Sequence, residues 1–428
     1  MQKIKTYDSG LRVVVEQMSG FTSVSFNIYV GIGSIYEDET NQGISHLIEH
    51  MLFKGTKNRS AFQIAEDLKN IGALYNAFTS KTDTSFYSKT ITEYTEKSVE
   101  ILSDMLLNSA FNEKELAKEK KVVIEEMKMY KDDPGSLCNE LADTNFYKDS
   151  PYASNIIGTK KSVMGISRQD IIDYMAKNYV PQNIVLSFAG NITYEEAIRL
   201  VEKYFNPLLQ GENHIEKRFT KKLVRPQNPI AKLRFKDNAQ SELCLMYPLV
   251  DMYDDKRHIA LVLNHAWGSS ANMGSRLFQI IREKMGLVYS IYSSVSTSEY
   301  GGDLSINFST STKNVPIALK GVKKAIDDLV KQGITQAEID SAKINLKTGT
   351  LLKYENTNHI ALSNARQLMF YGKIQSSEEY LEKINAVTVE DTNEMIKYIF
   401  DNTSYVISCV GKDKKINLLK EYNKNQEV

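Results

Sequence analysis

Apolar and β-branched residues alternate with polar ones along residues 11–17 (LRVVVEQ) and again along 21–33 (FTSVSFNIYVGIG). Such a two-residue period predicts strands. The period then lengthens. Residues 43–55 (GISHLIEHMLFKG) carry helical spacing and stop at Gly55, and 61–72 (AFQIAEDLKNIG) form a second helical run closed by Gly72. Residues 73–91 (ALYNAFTSKTDTSFYSKTI) return to strand character and read as a hairpin turning at Ser80 to Asp83. A long helix is expected from about Asn112 to Lys131, with Asn112 and Glu115 placed as a capping pair.

The pattern repeats. Residues 167–190 (SRQDIIDYMAKNYVPQNIVLSFAG) match 388–411 (TVEDTNEMIKYIFDNTSYVISCVG) at a constant offset of 221, so that Asp170 matches Asp391, Tyr179 matches Phe400 and Ser187 matches Ser408. Each copy reads as a capped helix, a short turn and a strand ending in Gly. Two copies are too few for a solenoid. They imply an α+β protein with two related domains, each a mostly antiparallel sheet with helices on one side. A polar stretch near 211–229 suits a linker, which divides the chain into 1–212, a linker at 213–229, and 230–428.

Composition narrows the function classes. With 428 residues the chain is too long for one ordinary core. Hydrophobic residues make up 42% and charged residues 25%, which is globular rather than disordered. Lys plus Arg and Asp plus Glu both number 53, so bulk charge gives no reason to expect nucleic acid or an anionic membrane as partner. The three cysteines, Cys138, Cys244 and Cys409, are far apart and form neither a disulfide framework nor a Cys-type zinc site. The N-terminus shows no apolar signal region, and no run approaches the length of a transmembrane helix. A cytoplasmic protein is the expectation.

The chemistry concentrates in His46-Leu47-Ile48-Glu49-His50. Residues four apart share a helix face, so His46 and His50 can hold one zinc ion together. Glu49 lies between them in sequence, within reach of a water on the same metal, and is the candidate general base. The third ligand should be a carboxylate on another buried helix face. In KEKKVVIEEMKMY, Glu119 and Glu126 are seven residues apart and share a face, with Val122 and Val123 between them. Glu125 falls instead on the charged side with Lys118 and Lys121. An acidic residue on an apolar stripe needs a partner, and a metal is one. Glu126 is the candidate ligand and Glu119 a supporting carboxylate. His258 and His265 are seven apart on a predicted helix but lack an accompanying carboxylate, and read as ordinary helix residues.

These motifs resemble the pitrilysin-type (inverzincin) metallopeptidases, the group that includes mitochondrial processing peptidase and insulysin. That family places a glutamate ligand 76 residues after the second His in an E-x6-E pattern, which here gives Glu126 and Glu119. The segment SRLFQIIREKMGLVYS resembles the one carrying the family's Arg and Tyr, here Arg282 and Tyr289, which the resemblance places on the substrate carbonyl or the tetrahedral oxyanion. The resemblance also makes Asn76, Ala77, Phe78 and Thr79 an edge strand to which an extended peptide adds. Two acidic positions that read a basic residue in processing enzymes hold Ser136 and Glu140 here, so one acid is kept and one is missing. The second half has no HxxEH: the 221 offset carries His46, Glu49 and His50 onto Trp267, Ser270 and Ala271, so one Zn2+ per chain is implied. The length resembles the short form of the family, in which each chain is half of a clamshell. This implies a homodimer with Arg282 and Tyr289 reaching across the interface, acting as an endopeptidase on unfolded peptides inside a closed chamber. The alternative is a peptide-binding chamber or a scaffold subunit of the same fold.

Overall fold

A computed structural model of the protein describes residues 2–210, 226–269, 273–401 and 404–424. Among them, one sheet contains β1 (Gln2–Thr6), β2 (Arg12–Gln17), β3 (Ser23–Val30), β4 (Leu74–Thr79), β5 (Thr84–Ile91) and β6 (Ile184–Gly190). Their order is β1-β2-β6-β3-β5-β4. A second contains β7 (Ile230–Phe235), β8 (Ser241–Leu249), β9 (Val288–Ser298), β10 (Gly301–Thr310) and β11 (Val406–Gly411), in the order β7-β11-β8-β10-β9. Each sheet is antiparallel except for one parallel pair, β2 with β6 and β7 with β11.

The repeat in the sequence falls on equivalent elements. The helix Arg168–Asn178 leads into β6, and the helix Val389–Phe400 leads into β11. Both begin with a reciprocal cap. Ser167 Oγ accepts from Asp170 N at 3.1 Å while Asp170 accepts from Ser167 N at 2.7 Å, and Thr388 and Asp391 repeat this at 3.1 and 2.9 Å. Such boxes satisfy the free N–H groups of a first helical turn. Both strands then lie between a parallel and an antiparallel neighbour, in the local orders β2-β6-β3 and β7-β11-β8.

Five helices of the first half matter for the site: α1 (Ile44–Leu52), α2 (Ala61–Asn70), α3 (Thr95–Leu107), α4 (Glu113–Asp132) and α5 (Pro134–Phe146). Leu47, Ile48 and Met51 of α1 join Val13, Val15, Phe26, Ile28 and Phe188 of the sheet in one core. The opposite face of this sheet is also apolar. Val14, Tyr29 and Val185 pack there against Ala365 and Leu368 of the helix Thr357–Tyr371. In the second sheet α5 packs on β8 and β11, where Cys138 Sγ lies 3.2 Å from Ser408 Oγ. Among the described residues, each sheet therefore has a helix on the face away from its main core, in addition to the expected layer on one side.

These two helices come from the other half of the chain. The chain forms two compact units, and Lys128–Ala153 belongs with the second-half unit while Leu352–Gln375 belongs with the first-half unit. The expected sequential division at 213–229 leaves each of those two segments with its own half, whereas each closes an apolar sheet face formed by the other half. Residues 213–225 of the expected linker, and Ser270 and Ala271 of the offset comparison, lie outside the described residues. Among the described residues no helix is long and apolar enough to cross a membrane.

Candidate active site

α1 lacks an N-cap side chain of its own. It starts at Gly43, whose φ of 89° is left-handed and which offers no side-chain cap. Glu37 supplies the missing acceptor: its carboxylate accepts from Gly43 N at 2.7 Å and from Ser45 N at 2.9 Å. A carboxylate there satisfies two free donors and complements the helix dipole. One turn into this anchored helix stands His46, and one further turn His50.

α4 brings its carboxylates to the same place. Its buried residues are Leu116, Glu119, Val123 and Met127. Val122, expected on this face with Val123, is instead 48% exposed. At about 100° per residue the stripe centres between Glu119 and Leu116, and Val122 lies roughly 110° from that centre. Glu119 and Glu126 thus sit on the margin of the stripe that faces α1.

His46, His50 and Glu126 each offer a ligand atom, and these atoms all lie within 4.8 Å of one another. Glu126 Oε2 is 3.8 Å from His46 Nε2 and 3.5 Å from His50 Nε2. The two imidazole rings are 4.7 Å apart, centroid to centroid. Burial, then the neighbouring His50, pushes His46 down to about 4, so it is neutral at physiological pH. Burial works against charge on His50 too, but the Glu119 bond and the Glu126 and Glu49 charges outweigh it and raise its pKa. Two nitrogens and one carboxylate oxygen at this separation are a donor set that fits zinc.

The remaining side chains brace those three. His50 Nδ1 lies 3.2 Å from Glu119 Oε2, and Lys54 Nζ lies 2.8 Å from Glu119 Oε1. Burial alone would raise the Glu119 carboxyl, but the bonds from His50 and Lys54 hold it below its ordinary value. Such a carboxylate fixes the orientation of a ligating imidazole. Glu49 is half-buried and accepts a hydrogen bond from Thr79 Oγ1 at 2.6 Å. Burial raises its pKa against that bond and the His50 charge. The balance moves a carboxylate toward the range useful to a general base.

β4 carries Asn76, Ala77, Phe78 and Thr79 and is the last strand of its sheet, paired on one side with β5. Its first three residues, Leu74 to Asn76, are exposed. The expected turn is present, closed by Ser80 N donating to Asp83 O at 2.7 Å. Tyr75 stacks on Phe53, just past α1, at 6.0 Å.

Arg282 and Tyr289 belong to the second-half unit and meet each other. The helix Arg276–Phe278 widens into a π-helical turn over Gln279–Lys284, a feature common at functional sites. Within it Arg282 Nε donates to the Tyr289 carbonyl at 3.3 Å, its guanidinium lies over the Phe278 ring at 5.1 Å, and it pairs with Glu283. The Tyr289 side chain is 77% exposed. Glu140 is half-buried on α5, in the same unit. His258, read as an ordinary helix residue, is buried with Nδ1 3.0 Å from the Asp255 carbonyl, outside any cluster of ligand atoms among the described residues.

Sequence reasoning missed Glu37, Lys54 and the role of the Thr79 side chain. The missing cap at Gly43 was the available signal for Glu37. Lys54 follows His50 by four residues, which places it one turn further on. The Thr79–Glu49 bond joins residues 30 apart and has no sequence signal.

Two family descriptions match successive parts of the chain. Residues 12–160 match the family described as insulinase (peptidase family M16), and residues 165–346 match the peptidase M16 inactive domain. A Bacillus subtilis protein named an uncharacterized zinc protease is 34% identical over 96% of this chain and 98% of its own length. A Rickettsia bellii protein of the same description is 32% identical over 92% and 94%. In fold, the chain is similar to a peptidase M16 inactive domain from Pseudomonas fluorescens, with a TM-score of 0.88 at 20% identity, covering 97% of this chain and 99% of that one. It is also similar to a protease from Helicobacter pylori, with a TM-score of 0.87 at 22% identity and coverage of 96% and 99%. Identity of one third sustained from end to end reflects common descent rather than a shared short motif, and the chain belongs to the insulinase family of peptidases, family M16.

Proposed function

We propose that this protein is a zinc-dependent endopeptidase that cuts unfolded peptides internally. The observation that carries the reading is the convergence of His46, His50 and Glu126, with Glu49 one residue from a ligand and held by Thr79. The names of the relatives, zinc proteases, agree with it. Bound to His46, His50 and Glu126, zinc would supply Lewis acidity at the scissile carbonyl. Glu49 takes the proton of the attacking water and passes it to the amine that leaves. Glu119 holds His50 in one orientation and Lys54 keeps Glu119 ionised. The open side of β4 accepts the peptide as an added strand, which requires an extended chain and tolerates varied side chains.

Arg282 and Tyr289 are the candidates to stabilise the developing oxyanion. In this reading they come from a second copy of the chain, in a homodimer that encloses the peptide, with one zinc ion per chain. Mixing inactive Glu49→Gln chains with inactive Tyr289→Phe chains tests the arrangement. Sites built across the interface regain activity on mixing, because one site of each mixed dimer has neither substitution. Sites built within one chain stay silent.

The peptidase reading itself is tested with quenched peptides of varied sequence. Cleavage that is abolished by a chelator, restored by zinc and absent on folded proteins supports it. Indifference to the chelator contradicts it.

A further inference from the structure

We propose that Thr79 is a positioning residue whose hydroxyl ties Glu49 to the strand that receives the peptide, so that pairing on β4 is felt in turnover rather than in binding. The inference rests on the peptidase reading above and adds to it a role for one side chain. Thr79 Oγ1 donates to Glu49 Oε2 at 2.6 Å, the short distance of a charge-assisted bond. A glutamate's terminal torsion is broad and nearly two-fold, so an unbonded carboxylate samples many orientations. One donor fixed on Oε2 makes the two oxygens inequivalent and restricts that rotation.

The donor is itself well held. Thr79 pairs with Thr84 at the base of the hairpin, and the turn beyond it is docked by Ser34 N donating to Ser80 O at 3.2 Å. Residues two apart on a strand share a face. Thr79 bonds Glu49, and Tyr75, two alternations earlier, stacks on Phe53 directly after α1. β4 and the motif helix are thus linked at both ends of the strand. The first half of β4 is exposed while Ala77 to Thr79 are half-buried. A peptide added along the open edge therefore orders the exposed half of a strand whose anchored half holds the base. Valine would fill the space of Thr79 without donating, so packing alone gives no reason for a hydroxyl beside a carboxylate.

The test uses the full-length, zinc-loaded protein with Thr79→Val and Thr79→Ser. The valine variant is expected to lose about 10- to 100-fold in kcat, the loss of one hydrogen bond to a charged group. KM should stay within about twofold, zinc per chain should be unchanged, and the serine variant should return to within about threefold of wild type. A second readout does not depend on activity. In the zinc-free protein, Thr79→Val should lower Tm when Glu49 is present and leave it unchanged in a Glu49→Ala background. An unaltered kcat in the valine variant, an equal loss in the serine variant, or the same Tm loss in both backgrounds would overturn the proposal. Should the wild type cut no peptide, the peptidase reading fails, and the Tm comparison still decides whether Thr79 holds Glu49.

Discussion

Replacing Glu119 with Gln keeps the volume of the side chain and removes its charge. Glu119 is 5% exposed, and its two oxygens are divided between His50 Nδ1 at 3.2 Å and Lys54 Nζ at 2.8 Å. The amide has one acceptor oxygen, so it can serve one of these donors and must turn an N–H toward the other. A hydrogen bond to a charged group contributes about 1.5–3 kcal/mol and a neutral one about 0.5–1.5 kcal/mol. The His50 contact therefore loses about 1–2 kcal/mol, before the cost of Lys54 left beside an amide. That corresponds to a loss of roughly 5- to 30-fold in zinc affinity, overlapping the range of about 10- to 100-fold typical for groups that support a ligating histidine. The assay is competition for zinc against a chelating dye of known affinity at constant pH. Glu125→Gln, one residue from the ligand but exposed, is the control and should stay within about twofold of wild type. If Glu119→Gln binds zinc as tightly as wild type, or if the control loses as much, then Glu119 does not orient His50.

Three further substitutions probe other parts of the structure. Tyr289→Phe, at an exposed position, should leave thermal stability unchanged to within about 0.5 kcal/mol and lower kcat about 100- to 1,000-fold, the loss of one oxyanion donor; a parallel fall in Tm would assign it to packing. Gly43→Ala places a Cβ 2.6 Å from the Ile157 carbonyl at a φ of +89°, a strain on the order of 1–3 kcal/mol that should lower Tm and weaken zinc retention. Asp303 is buried, accepts from Tyr147 OH at 2.5 Å, and is pushed by burial from 3.8 up to about 7. Between those values the folded chain keeps a proton that the unfolded chain has released, so stability falls as pH rises through this window, by on the order of 4 kcal/mol at most. Asp303→Asn should flatten that slope in urea titrations at pH 5 and pH 8, and an unchanged slope would place the titration elsewhere.

The metal cluster was legible because its determinants are local. His46 and His50 share a face by helical period alone, and Glu119 and Glu126 by a near-integral number of turns. What joins α1 to α4 is tertiary; the burial of a carboxylate on an apolar stripe points to Glu119 and Glu126, and the family's spacing agrees with that reading. β6 and β11 are legible as strands through their apolar character, but not as doubly covered ones. β6 is buried at every residue and reads IVLSFAG, a run without strict alternation, which is the mark of a strand with both faces covered. That mark pointed to the helix Thr357–Tyr371 without naming it, since sequence does not show which distant helix returns. β1 escaped because four of its five residues are exposed, which leaves no apolar face to read. Val122 was placed on the buried face because adjacent valines were weighed together, although 100° separates neighbours on a helix. Asn112 was read as half of a reciprocal cap. Its Oδ1 accepts from Lys114 N at 2.9 Å and from Glu115 N at 3.4 Å, so that half forms, while the Glu115 side chain turns to Lys118 at 2.7 Å.

The most direct test of the peptidase assignment is zinc content and peptide cleavage measured side by side for wild type and Glu49→Gln. About one zinc per chain in both proteins, with cleavage in the wild type alone, is the expected result, and it would establish Glu49 as the base. Zinc in both with no cleavage of a varied peptide library by the wild type would point to a binding chamber or scaffold. No zinc in either would contradict the assignment of His46, His50 and Glu126 as ligands, and the mechanism built on them.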